Sequence, residues 1–411
     1  MSESVKKEPI NWNSAMKEIL SGSVTRTLLS VILGFAVGAF FMIISNREFL
    51  QNIGYFFADP LASLRAAGDV VSSGYGALFK GAVYNASAAT FDGAIRPLTE
   101  TLRLAGPLIA AGLGIGLGFR VGLFNIGGTG QLVSGIIWAT FVATRMELPP
   151  VIHLVVAILA AIIGSAIVGA FVGFLKARTG ANEVITTIML NYVIISFFNY
   201  LLLDNNLLQG ATAGGYTKSD PAAETARLPA LLGESFALNL GFVLAIVAVV
   251  LYWWLMERST IGFRLRAVGF NASAAKTAGI NVNATYVLAL GLSAAFVGLA
   301  AANQALSSTG GVTPTSHAGI GFDAITVALL GGSSAPGVLL AGLLFGAFKA
   351  GASAIQIEGI SPDVLLIVQG AIVLFIAAPP LIRAIFRLPP PQTTNMLTAL
   401  KSNLFSRGAK R

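Results

Sequence analysis

Ten apolar stretches, most of them near 20 residues long, constrain this chain more than any other feature of its sequence. They run over 27–45, 104–119, 131–144, 151–175, 184–203, 237–256, 284–304, 323–332, 337–356 and 363–382. A helix needs about 20 apolar residues to cross a bilayer core about 30 Å thick, so the chain reads as an all-α polytopic membrane protein with about ten transmembrane helices. Charged residues are 11% of the 411, less than half of the roughly 25% usual in soluble chains, which excludes an ordinary water-soluble fold. The stretches 131–144 and 323–332 are short for a full crossing. Each adjoins a glycine-rich segment that breaks or bends a helix.

The net charge of +8 is explained by membrane topology rather than by nucleic acid. With the N-terminus inside and ten crossings, 17 Lys and Arg fall on the cytoplasmic side against eight outside, as the positive-inside rule requires. The expected organisation follows from that assignment. Residues 1–26 form a cytoplasmic N-terminal segment, 27–385 a transmembrane domain, and 386–411 a basic cytoplasmic tail. Within the domain, 47–101 is an extracellular or interfacial insert, 204–236 an extracellular loop, and 257–283 a cytoplasmic loop. A division into two inverted five-helix halves near residue 210 suits this parity. The chain has no cysteine and only His153 and His317 as imidazoles, so no metal site, cofactor or catalytic residue is expected.

Two segments stand out chemically. In Gly122-Leu-Phe-Asn-Ile-Gly-Gly-Thr-Gly-Gln131, three glycines within four residues disfavour a continuous helix, so the backbone opens beside Asn125 and Gln131. Such backbone is tolerated at membrane depth only under a cover of protein or along a watery path; a tight cytoplasmic turn is the alternative. No Lys-Ser/Thr follows these glycines, so a phosphate-binding loop is not indicated. The second segment, Ser259 to Gly279, reads as two short helices, one opened by Ser259 or Thr260 and the other capped by Asn271. About 20 structured residues where a few would connect two spans point to a docking element, although a basic loop that only sets topology would also fit.

Gly262-Phe-Arg-Leu-Arg-Ala-Val-Gly-Phe-Asn-Ala-Ser-Ala-Ala-Lys-Thr-Ala-Gly-Ile280 resembles the coupling loop of ABC-importer permeases in the superfamily serving ribose, nucleosides and branched-chain amino acids. The 122–131 segment, Asn182-Glu-Val-Ile-Thr-Thr-Ile-Met-Leu-Asn-Tyr192 and Gly321-Phe-Asp-Ala-Ile-Thr-Val-Ala-Leu-Leu-Gly331 agree, in family order, across residues 100–385. The nucleoside and simple-sugar branch is the most similar. One departure is Thr129, where family members commonly carry an acid.

The resemblance implies a permease subunit in a bacterial plasma membrane, with both termini cytoplasmic. It further implies a separate ATP-binding-cassette ATPase, a second and different permease subunit, and an extracellular substrate-binding protein. With no Gly-Lys pair anywhere, the chain itself lacks the lysine loop of an ATPase. Docking to the ATPase falls to Arg264, Arg266, Gly269, Asn271, Ala274, Ala275 and Gly279. The expected solute path takes in Asn125, Gln131, Asn191, Tyr192, Asn303 and Gln304, all uncharged polar groups in or beside apolar spans. Asn191 and Tyr192 could equally hold helices together. An ion-coupled secondary transporter of a neutral polar solute is the alternative. It would place ionisable groups at the centres of spans, where this sequence has almost none.

Overall fold

The computed structural model describes residues 23–387, apart from 54–56, 58, 205–206, 212–214 and 234. The expected N-terminal segment and basic tail lie almost wholly outside the described residues. Fifteen helices occupy the described part: α1 Ser23–Ser45, α2 Arg47–Ile53, α3 Pro60–Ala82, α4 Phe91–Arg120, α5 Gly128–Arg145, α6 Ile152–Thr179, α7 Glu183–Leu201, α8 Leu240–Arg258, α9 Thr260–Phe270, α10 Ala272–Thr277, α11 Val282–Leu306, α12 Ile320–Leu330, α13 Ala335–Ile357, α14 Asp363–Ala377 and α15 Pro379–Phe386. Seven helices are by themselves long and apolar enough to span: α1, α4, α6, α7, α8, α11 and α13. An eighth is reached if α14 and α15, bent by 92° at the break before Pro379, make one broken span.

The remaining two apolar stretches are α5 and α12, 18 and 11 residues long. Neither begins level with its neighbours' ends. Gly128, at the start of α5, faces Ile115 in the body of α4, well short of the end of that helix at Arg120. On its other flank it lies against the Gly321 carbonyl in the first turn of α12. The two short helices therefore start beside each other in the interior. In the expected insert, α3 is a single 23-residue helix that packs on α13, longer than the short surface helices the sequence suggests.

Of the described residues, 23–39 and 367–387 form one compact unit and 40–366 the other. In the first, Gly34 of α1 lies directly against Ile372 of α14. In the second, the packing maps onto itself when α4 is exchanged with α11, α5 with α12 and α6 with α13. Thus α4 packs on α13 as α11 packs on α6, and α12 packs on α4 as α5 packs on α11. The central α4–α11 contact is close because Gly114 presents no side chain to the Ser293 carbonyl. Small residues give membrane helices this approach, where lipid offers no hydrophobic drive to associate. The segment 207–239 carries no helix among its described residues and straps across helix ends by backbone bonds. Ala223 N–H donates to Ala143 O and Leu228 N–H to Leu306 O.

Candidate functional site

The glycine-rich break is held by a closed polar cluster. Asn125 Nδ2 donates to Gln131 Oε1 at 2.9 Å, and Gln131 Nε2 returns a bond to Asn125 Oδ1 at 3.0 Å. The same Nδ2 donates to Ser293 Oγ at 2.8 Å, and that hydroxyl donates to Gly114 O at 2.7 Å. Asn125 Oδ1 also accepts from Gly127 N–H. One level on, Asn191 Oδ1 accepts from Gly130 N–H at 2.8 Å while its Nδ2 donates to Ile126 O at 3.0 Å. Asn125, Gln131 and Ser293 are fully buried and Asn191 nearly so. A buried polar group is costly unless partnered, and here the partners supply what a helix would otherwise give residues 125–130. In this conformation the Asn125 and Gln131 amides face each other and the Asn191 amide is held by backbone groups of the break, while Tyr192 lies on the exposed side of α7.

Asn303 and Gln304 are elsewhere. Near the C-terminal end of α11 they line a cavity of about 150 Å³ with Arg103, Pro107 and Leu108 of α4, Ser307, Thr315, Ser316 and Ala318 of the connection to α12, and Lys349 of α13. Both cations at this cavity are paired. Arg103 donates from Nε to Glu100 Oε2 at 3.0 Å, and Lys349 Nζ meets Asp323 Oδ2 at 2.7 Å. With Leu104 and Ile320 also at the wall, the lining is mixed polar and apolar, and balanced in charge. Asp323 sits in the first turn of α12, where a helix dipole also favours an anion. His317 lies in the same 307–319 connection. Burial pushes its imidazole below the ordinary histidine range, with the Pro314 carbonyl opposing in part.

At the opposite end of α4 and α11, α9 and α10 form as their caps require: Ser259 Oγ accepts from Gly262 N–H and Asn271 Oδ1 from Ala274 N–H. The expected docking residues divide between two sides. Arg264, Asn271, Ala274 and Gly279 face out, whereas Ala275 is buried and Arg266 folds back onto Met256 O and Glu257. Gly269 lies against the Arg120 carbonyl and Val121, where a Cβ would not fit. Phe263 and Phe270, 62% and 90% exposed, flank the outward set. A cleft of about 420 Å³ bounded by Arg264, Gly279, Asn281 and Thr285 opens between α9 and the start of α11.

A family model described as a branched-chain amino acid transport system / permease component matches residues 98–377, more than half of the chain. The chain belongs to this permease family. The permease is 36% identical over 353 residues to the guanosine ABC transporter permease protein NupP of Bacillus subtilis, an alignment covering 85% of this chain and 92% of that one. It is 35% identical to the nucleoside ABC transporter permease protein NupB of Lactococcus lactis, over 69% of this chain and 80% of the relative. The glucose ABC transporter permease protein TsgB13 of Haloferax volcanii is 36% identical over 68% and 75%. No solved structure matches the permease significantly.

The structure adds residues to those picked from the sequence. Arg103 and Lys349 join Asn303 and Gln304 at the cavity, and Phe270 joins the outward-facing residues of α9 and α10. The sequence signal for Lys349 and Asp323 was present, as opposite charges in or beside apolar stretches, but the 25 residues between them hide the pairing until α12 and α13 are placed.

Proposed function

We propose that this permease is the translocation subunit of an ABC importer for nucleosides, with the cavity at Asn303 and Gln304 as the part of the path nearest the point of delivery. The observation that carries this reading is the charge-balanced lining of that cavity, with amide and hydroxyl groups set among apolar side chains. Amide and hydroxyl groups suit the hydroxyls and base edges of a nucleoside, and paired charges leave no free site for an ion. Two relatives named for guanosine and nucleoside transport support the solute class. Ligand sites for drug-sized molecules run about 300–1,000 Å³, so the path widens when the solute enters.

An external binding protein delivers the solute at the Asn303 end, and both termini and the α9–α10 surface lie in the cytoplasm. A separate ATPase docks there against Phe263, Arg264 and Phe270, and a second, different permease subunit completes the path. ATP is hydrolysed by the partner and not by this chain. The test is uptake of radiolabelled guanosine and glucose into vesicles holding the assembled transporter, with and without enclosed ATP. ATP-dependent guanosine uptake is expected. Uptake driven by a proton or sodium gradient without ATP would instead establish an ion-coupled secondary transporter.

A further inference from the structure

We infer that Glu257 is a positioning residue that carries movement of the docking helices to the glycine-rich break, a role that rests on reading α9 and α10 as the ATPase docking surface. Its carboxylate is shared between two guanidinium groups on different elements. Oε1 meets Arg120 Nη1, at the last residue of α4, at 2.6 Å. Oε2 meets Arg266 Nη1, on docking helix α9, at 2.9 Å. Arg266 also donates to the Met256 carbonyl, so the guanidinium is fixed to the end of α8 from two directions.

The glycines make this linkage stiff. Gly262 of α9 lies against the Leu255 and Met256 carbonyls, and Gly269 lies against the Arg120 carbonyl and Val121. Backbone touches backbone at both ends of α9, with no flexible side chain between to absorb a shift. Arg120 is followed directly by the non-helical stretch that leads through Gly122, with φ of 75°, to the Asn125 cluster and α5. Phe124 N–H in that stretch reaches the Glu183 carboxylate, which also holds Lys176 at 2.6 Å. A second branch runs from α8: Tyr252 donates to Ser333 O at 2.7 Å, in the turn between α12 and α13. A displacement of α9 by the ATPase would therefore be passed to both short helices that begin in the interior.

Glu257 does little for the fold. Its side chain is 41% exposed, and exposed ion pairs contribute little to stability. Removing it should leave an inserted, assembled protein whose parts no longer move together. The experiment compares Glu257→Gln, Arg120→Gln and the double variant in the assembled transporter reconstituted in vesicles, reading ATPase co-purification and solute taken up per ATP hydrolysed. The ATPase is expected to co-purify normally while uptake per ATP falls about fivefold or more, the lower end of typical coupling between two sites. The double variant should be no worse than either single one, because both remove the same link.

A wild-type ratio of uptake to hydrolysis in both single variants would overturn the inference. So would loss of the ATPase from either, since Glu257 would then shape the docking surface itself. Phe270→Asp tests the underlying reading separately. It should release the ATPase, and if it does not, the docking assignment fails whatever the Glu257 variants do.

Discussion

Thr129 lies against Gly321, at the point where the two short helices α5 and α12 begin beside each other. A Cβ at Gly321 would press on Thr129 Oγ1 and also on the Thr129 backbone nitrogen and Cα, which no side-chain rotation can move away. Extra atoms forced into a packed interior cost about 1–3 kcal/mol. Gly321→Val should therefore lower the Tm of the purified permease and reduce uptake, whereas Thr129→Ser, which removes only a methyl group, should leave both near wild type. A Gly321→Val protein as heat-stable as wild type would mean that the two helix starts do not meet in this way.

The Lys349–Asp323 pair makes a prediction about pairs rather than residues. The side chains are 29% and 17% exposed, so removing one partner leaves the other charge poorly solvated, at a cost below the roughly 3–5 kcal/mol of a fully buried pair. Asp323→Asn and Lys349→Met should each destabilise the protein by about 1–3 kcal/mol. The double variant should recover much of the loss, because no unpaired charge remains. Strictly additive losses in Tm would show that the two groups are not coupled.

Much of the architecture was legible in the sequence. All ten apolar stretches fall in helices, and Ser259 and Asn271 cap α9 and α10 as their residue types require. What could not be read was depth. Composition marks 131–144 as apolar and short, but whether such a helix starts at a surface or in the interior depends on the contact of Gly128 with Ile115, which is tertiary. The site suffered from the same limit. Asn125 and Asn303 are both buried amides in comparably apolar surroundings, and only the positions of Gln131 and Ser293 close a side-chain cluster around the first while the second borders the cavity.

His317 gives the connection over the cavity a pH dependence whose sign is fixed. Burial lowers its folded-state pKa, so folding favours the neutral imidazole. The unfolded value is about 6.5. Stability from this group is full above that pH and is lost as pH falls from about 6.5 through the lowered folded value, because the open form binds the proton first. The Tm of the permease should thus drop as pH falls below about 7, and the drop should be smaller in His317→Gln. Equal drops in the two proteins would place the acid-sensitive group elsewhere.

Asn125 and Asn303 should fail in different ways when cut to alanine. Asn125→Ala strips partners from Gln131, Ser293 and the Gly127 N–H, all in the interior. Leaving a buried donor or acceptor unmet costs about 1–3 kcal/mol, so this variant should show a lowered Tm, with reduced uptake following from it. Asn303 borders the cavity, and removing its amide takes away a group the solute would meet. The Asn303→Ala protein should keep more of its Tm yet take up guanosine more slowly, by about tenfold for one lost contact near 1.4 kcal/mol. Solute dependence separates the cases further: a path defect should weigh unequally on guanosine and on a nucleoside with a different base, and a folding defect should weigh equally on both. If Asn125→Ala kept its Tm and lost uptake for one nucleoside only, the amide cluster would belong to the path after all.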